Sequence, residues 1–186
     1  DLFENISQKF DLESNINLIE VYDNYEWREL KQYEDGVASS LSIQDCIPLI
    51  IAVPTTAGTG SEVGGSAVIS DNDTHRKRII WSPHLVPQYA ILDPLLSTSL
   101  PFKTTAATGM DALTHNIEAF LAKGDHPLSD GIALEGVRLI DEHLINACYQ
   151  PENLDARNGM LLASAMGATA FQKGLGVTHS CAHATC

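Results

Sequence analysis

What the chain lacks narrows it first. Basic charge is scarce: 11 Lys and Arg stand against 24 Asp and Glu, for a formal net charge of −13. A nucleic-acid backbone demands a concentrated basic surface, so no nucleic-acid partner is expected. Long apolar runs are missing as well. The longest, Ile47 to Val53, contains Pro48 and is far too short to cross a bilayer, so no membrane role is expected. The first residues include Asp1, Glu4 and Lys9 and no apolar stretch, which makes a soluble cytoplasmic protein without a secretory leader the expectation. Cys46, Cys148, Cys181 and Cys186 form no CxxC and no framework spacing, so reduced thiols are favoured over disulfides. Aromatics are only 6% of the residues. Hydrophobic residues still reach 44%, enough for a core in a chain of 186 residues.

What is present falls into two textures. Residues 1–36 hold ten acids against Lys9, Arg28 and Lys31, a pattern read as a solvated surface. Up to residue 97, short β-branched runs alternate with turns: Asn17–Tyr22, Ile47–Val53, Ala67–Ser70, Arg78–Trp81 and Tyr89–Leu92. From Pro101 onward long helical periods take over. Helices are expected from Pro101 to Lys123, Ser129 to Cys148 and Leu154 to Phe171, with another beginning near Val177. Ala106, Met110, Leu113, Ile117 and Phe120 mark the expected inner stripe of the first. The third is apolar nearly all round and should be buried among other helices. The expected fold is α/β, with an α/β domain over residues 1–97 and an all-helical domain over 98–186.

The loop Pro54-Thr-Thr-Ala-Gly-Thr-Gly-Ser-Glu62 follows an apolar strand and carries glycines and hydroxyls that suit phosphate or ribose. Gly58-x-Gly60 begins a GxGxxG dinucleotide fingerprint, but Val63 stands where the third glycine should be. Gly64-Gly65 then leads into another apolar run, so a strand is expected rather than the helix such a fingerprint opens. A cofactor-facing loop and a plain glycine-rich connection stand here side by side.

The chemistry concentrates further on. Asp111 and His115 lie one turn apart on one helix face, and His179 and His183 repeat that spacing on another helix. Two such pairs on helices that pack together can converge on one ion, whereas a lone pair is more often a surface contact. Carboxylate with imidazoles suits Fe²⁺, Zn²⁺, Co²⁺ or Mn²⁺ better than Ca²⁺ or Mg²⁺. Glu118, one turn beyond His115, is expected to hydrogen-bond a ligand rather than to be one. Cys181 points away from His179 around the helix. His75, His84, His126 and His143 read as bland.

Four segments occur in order: Pro54–Glu62, Ala90-Ile-Leu-Asp-Pro94, Thr108-Gly-Met-Asp-Ala-Leu-Thr-His-Asn-Ile-Glu-Ala-Phe120 and Gly174-Leu-Gly-x-x-His-x-x-x-His183. Together they resemble the iron-containing (type III) alcohol dehydrogenases over about residues 47–184. The resemblance implies an architecture shared with dehydroquinate synthase-like enzymes: a nucleotide-binding α/β domain followed by a helical metal domain. It implies Asp111, His115 and His179 as ligands of a divalent metal, Fe²⁺ first and Zn²⁺ second. It also implies Thr55, Thr56, Gly58 and Thr59 facing NAD or NADP, and His183 as a proton relay rather than a fourth ligand. The substrate class would be a small alcohol or aldehyde, and a homo-oligomer is compatible with it. The family's Gly-Gly-Gly-Ser turn has no counterpart in residues 1–46, and its fourth ligand would fall past Cys186. These residues by themselves are therefore expected to make a poor dehydrogenase. A non-catalytic binding or oligomerisation module is the alternative.

Overall fold

The computed structural model describes residues 33–36, 43, 47–71 and 76–185, which leaves the expected strand Asn17–Tyr22 outside the described residues. Among the described residues four strands come first: β1 (Ile51–Ala52), β2 (Ser66–Asp71), β3 (Arg76–Trp81) and β4 (Tyr89–Ala90). Four helices follow: α1 (Phe102–Leu121), α2 (Pro127–Tyr149), α3 (Leu154–Ala170) and α4 (Val177–Thr185). β1 and β4 pair in parallel, with Ile51 opposite Tyr89, and β2 and β3 pair antiparallel from Ser66 opposite Trp81. The hairpin lies within the connection that a parallel pair requires. Strands leading into helices match the expected α/β class.

Local chemistry sets the helix ends. The Asn153 side chain accepts from Ala156 N at 3.1 Å and caps α3. His126 does the same for α2, taking Ser129 N on its ring at 3.2 Å, while Pro127 opens the helix. After α3, a short 3₁₀ turn over Phe171–Lys173 ends at Gly174, whose φ of 141° few other residues adopt.

α3 packs against both α1 and α2, as its all-round apolar pattern implies. The core joins Ala112 of α1, Ile140 and Ala147 of α2, and Ala156, Met160, Leu161 and Ala163 of α3. The inner face of α1 differs from the expected one. Met110 is 52% exposed and Ile117 is also exposed, while Thr105, Gly109, Ala112, His115, Asn116, Glu118 and Ala119 are buried. Close approach accompanies the rotation at Gly109, where a Cβ would come within 2.3 Å of Leu144 Cδ1, so that Leu144 would have to shift. Asn116 is tolerated inside because its amide donates to Ala112 O at 2.8 Å and Ala163 O at 3.0 Å.

The Pro54–Glu62 loop lies flat on this bundle. Ala57 enters the core, and Gly60 has φ 61°. A Cβ at Gly60 would stand 2.3 Å from Ala168 Cβ and 2.6 Å from Ser164 O. One 3₁₀ turn, Ser61–Val63, precedes Gly64-Gly65 and β2, so the loop leads into a strand as expected.

Candidate metal centre

α1 and α4 bring the carboxylate and imidazole donors together. Asp111 Oδ1 lies 3.5 Å from His179 Nε2 and 4.0 Å from His115 Nε2. Donor atoms of all three residues lie within 4.8 Å of one another. The two imidazoles stack, with centroids 4.3 Å apart and planes 12° from parallel. Donors around an ion at about 2.1 Å stand roughly 3.0–3.5 Å apart, so the Asp111–His179 spacing suits one and the others are somewhat wide.

Each imidazole is held from behind. His115 Nδ1 lies 3.3 Å from Gly58 O, and His179 Nδ1 lies 2.6 Å from Glu118 Oε2. A carbonyl and a carboxylate only accept, so both Nδ1 atoms carry the hydrogen and both Nε2 lone pairs face Asp111. His179 Nε2 is buried with no hydrogen-bond partner. A buried lone pair left open beside a carboxylate and a second imidazole is a donor set that fits a divalent transition metal.

Electrostatics point the same way. Burial lowers the His115 pKa, and neighbouring His179 adds to that, against the opposing pull of Asp111, Gly58 O and Glu118. The neutral ring is the form a metal needs. For Glu118, burial pushes upward, but hydrogen bonds from the His179 ring and from Thr178 and Gly176 outweigh it and bring the carboxyl down to about 2.

His183 stands apart from the trio. Its ring centroid is 6.5 Å from that of His179, and its Nδ1 is buried without a hydrogen-bond partner. Two pairs do not converge as four donors here; three do, because the last donor lies a turn further along α4. Cys181 is exposed on α4, and Cys148 is buried. Thr55 and Thr59 are exposed and Thr56 is half-buried, with Thr59 Oγ1 accepting from Ser61 N at 3.4 Å. Gly58, expected beside a cofactor, turns its carbonyl to His115. Phe171, whose ring lies 5.0 Å from His115, carries no local signal that could have singled it out. His143 is less bland than its charged surroundings suggest, since its ring covers Gly159. His75 lies outside the described residues.

Comparison with known proteins places the chain in a family. The model of the iron-containing alcohol dehydrogenases matches residues 18–94, and that of the C-terminal part of the same family matches residues 105–186. The match thus reaches upstream of residue 47, where the resemblance read from the sequence begins. A 4-hydroxybutyrate dehydrogenase of Cupriavidus necator is 48% identical over 155 residues, 83% of this chain and 40% of that protein. A 1,3-propanediol dehydrogenase of Klebsiella pneumoniae is 44% identical over 138 residues, 74% of this chain and 36% of that protein. Among solved structures, a sulfoacetaldehyde reductase from Bifidobacterium kashiwanohense in complex with NAD⁺ superposes with a TM-score of 0.76 at 37% identity. That superposition covers 82% of this chain and 40% of the other. The chain belongs to the iron-containing alcohol dehydrogenase family, whose members work with iron and a nicotinamide cofactor. It spans about 40% of the length of the first of these curated relatives.

Proposed function

We propose that this chain carries the metal-holding and nicotinamide-facing parts of an alcohol dehydrogenase or aldehyde reductase that uses NAD or NADP. The observation that carries the proposal is the convergence of Asp111, His115 and His179, with both imidazole Nδ1 atoms already engaged. In this reading residues 98–186 hold the ion and residues 1–97 face the cofactor. When bound, a divalent ion, Fe²⁺ first and Zn²⁺ second, supplies Lewis acidity towards a substrate oxygen. Asp111 supplies the negative charge, and burial keeps His115 unprotonated and ready as a donor. Thr55, Thr56, Gly58 and Thr59 line the nicotinamide side, and the Gly58 carbonyl ties that loop to a metal ligand. His183, with an uncommitted Nδ1, passes the proton. Hydride chemistry is the cofactor's own.

Element analysis after gentle purification should find iron or zinc that disappears in Asp111→Ala/His115→Ala/His179→Ala. Equal metal in both proteins would end the reading. Reduction of small aldehydes with NADH and NADPH, after adding Fe²⁺ or Zn²⁺, should run far below the ~10 s⁻¹ common among enzymes, because hydride transfer needs the cofactor positioned. A second reading, an oligomerisation module without catalysis, draws support from the exposed Leu121, Leu128 and Tyr149. A metal-free monomer in sedimentation velocity would leave neither reading standing.

A further inference from the structure

Glu118 occupies an unusual place for a carboxylate. It is 8% exposed, sits on α1 one turn beyond His115, and faces the beginning of α4 rather than solvent. Its two oxygens accept from His179 Nδ1 at 2.6 Å, Thr178 N at 2.7 Å, Gly176 N at 3.0 Å and His179 N at 3.4 Å. The first N–H groups of a helix have no partner within it, and a cap ordinarily comes from the residue just before the helix. Here the cap comes from a distant helix, and the same group grips an imidazole of that helix. Gly176 makes the approach feasible: a Cβ there would stand 2.8 Å from Glu118 Oε1. α4 has only nine described residues, and helices shorter than about 12–15 residues are marginal unless something anchors them.

We propose that Glu118 is the positioning residue of the centre: it holds His179 in the Nδ1–H tautomer and seats the first turn of α4 so that Nε2 faces Asp111 and His115. The inference rests on the metal reading above and deepens it. His115 is oriented by a backbone carbonyl that no substitution can remove, whereas His179 depends on one replaceable side chain. Losing Glu118 frees the ring to protonate at Nε2, which turns a donor into a blocked position, and frees the helix start to shift.

The test compares wild type with Glu118→Ala and Glu118→Gln in two measurements. The first is ¹⁵N chemical shifts of the histidine rings in metal-free protein, and the second is Co²⁺ affinity by titration. Wild type should show His179 protonated at Nδ1. Glu118→Ala should move it towards Nε2–H and weaken Co²⁺ binding by about 10–100-fold, the usual cost of losing a group behind a ligand. Glu118→Gln, which keeps one accepting oxygen, should fall between and serves if the alanine variant does not fold. Weaker Co²⁺ binding with His179 still in the Nδ1–H form would reduce Glu118 to a helix cap and overturn the proposal. Unchanged affinity would overturn it too. Asp111→Ala separates the two readings. Wild-type Co²⁺ affinity in that variant would remove the centre itself, while the ring shifts of metal-free protein would still judge Glu118.

Discussion

The helical bundle and the β2–β3 hairpin, which buries Ile80, cover their apolar residues to different degrees. In the bundle, Ala112, Ala147, Leu161 and Ala163 are fully buried, and small residues let α1, α2 and α3 approach closely. On the hairpin, Val68 is 49% exposed and Trp81 50%. The bundle therefore makes its own core, while the strand region leans on it through Ala57, Gly58 and Gly60. The three candidate ligands all stand on helices, yet one of them, His115, is oriented by a carbonyl from the leaning part. The stability of the fold and the readiness of the site thus depend on different regions.

A matched pair of truncations should separate the bundle from the hairpin most strongly. Leu161→Ala should cost about 3–5 kcal/mol in urea unfolding, since a fully buried leucine leaves a cavity. Val68→Ala on the hairpin should stay within about 0.5 kcal/mol. Comparable losses would show that the hairpin shares the core. Next comes Gly60→Ala, which puts a Cβ against Ser164 O and demands a left-handed backbone from a residue that resists it. About 2–5 kcal/mol should be lost, the sum of strain and overpacking. Weaker Co²⁺ binding should accompany it, because the loop can no longer bring Gly58 O to His115.

Acid should act next, and in two stages. His115 has a lowered folded pKa, so the unfolded chain takes up that proton more readily and stability begins to fall as pH drops through 6.5. Glu118 has a depressed folded pKa. Its contribution is present above the ordinary 4.5 and is lost as pH falls towards about 2. Melting temperatures of metal-free protein should decline steadily from pH 7.5 to pH 3, and a flat profile would contradict both assignments. The smallest effect belongs to Arg138, whose bonds to Glu135 and Glu142 at 2.7 and 2.6 Å lie on the exposed face of α2. Arg138→Ala should barely shift the melting temperature, because solvent screens such pairs.

Much of this was legible in the residues. Helices expected from Pro101, Ser129, Leu154 and near Val177 begin at Phe102, Pro127, Leu154 and Val177, because capping and breaking act within a turn or two. The i, i+4 spacing of Asp111 with His115 needs no more than helical geometry, and four ordered motifs named the family. The inner face of α1 was misread because periodicity ranks residues by apolarity. The packed structure turned Gly109 and Ala112 inward together with the polar His115, Asn116 and Glu118, and left Met110 outside.

The local sequence thus determined which donors exist and on which helices they ride, since the hydrogen bonds that build a helix span only four residues. Tertiary structure alone decided that Asp111, His115 and His179 meet while His183 stays a turn away. It also decided that Gly58 O and Glu118 hold the two imidazoles from behind. Those contacts join residues 57 to 61 positions apart. Such distances are closed only when small faces let whole helices touch, and no short window of sequence contains the shape of its partner.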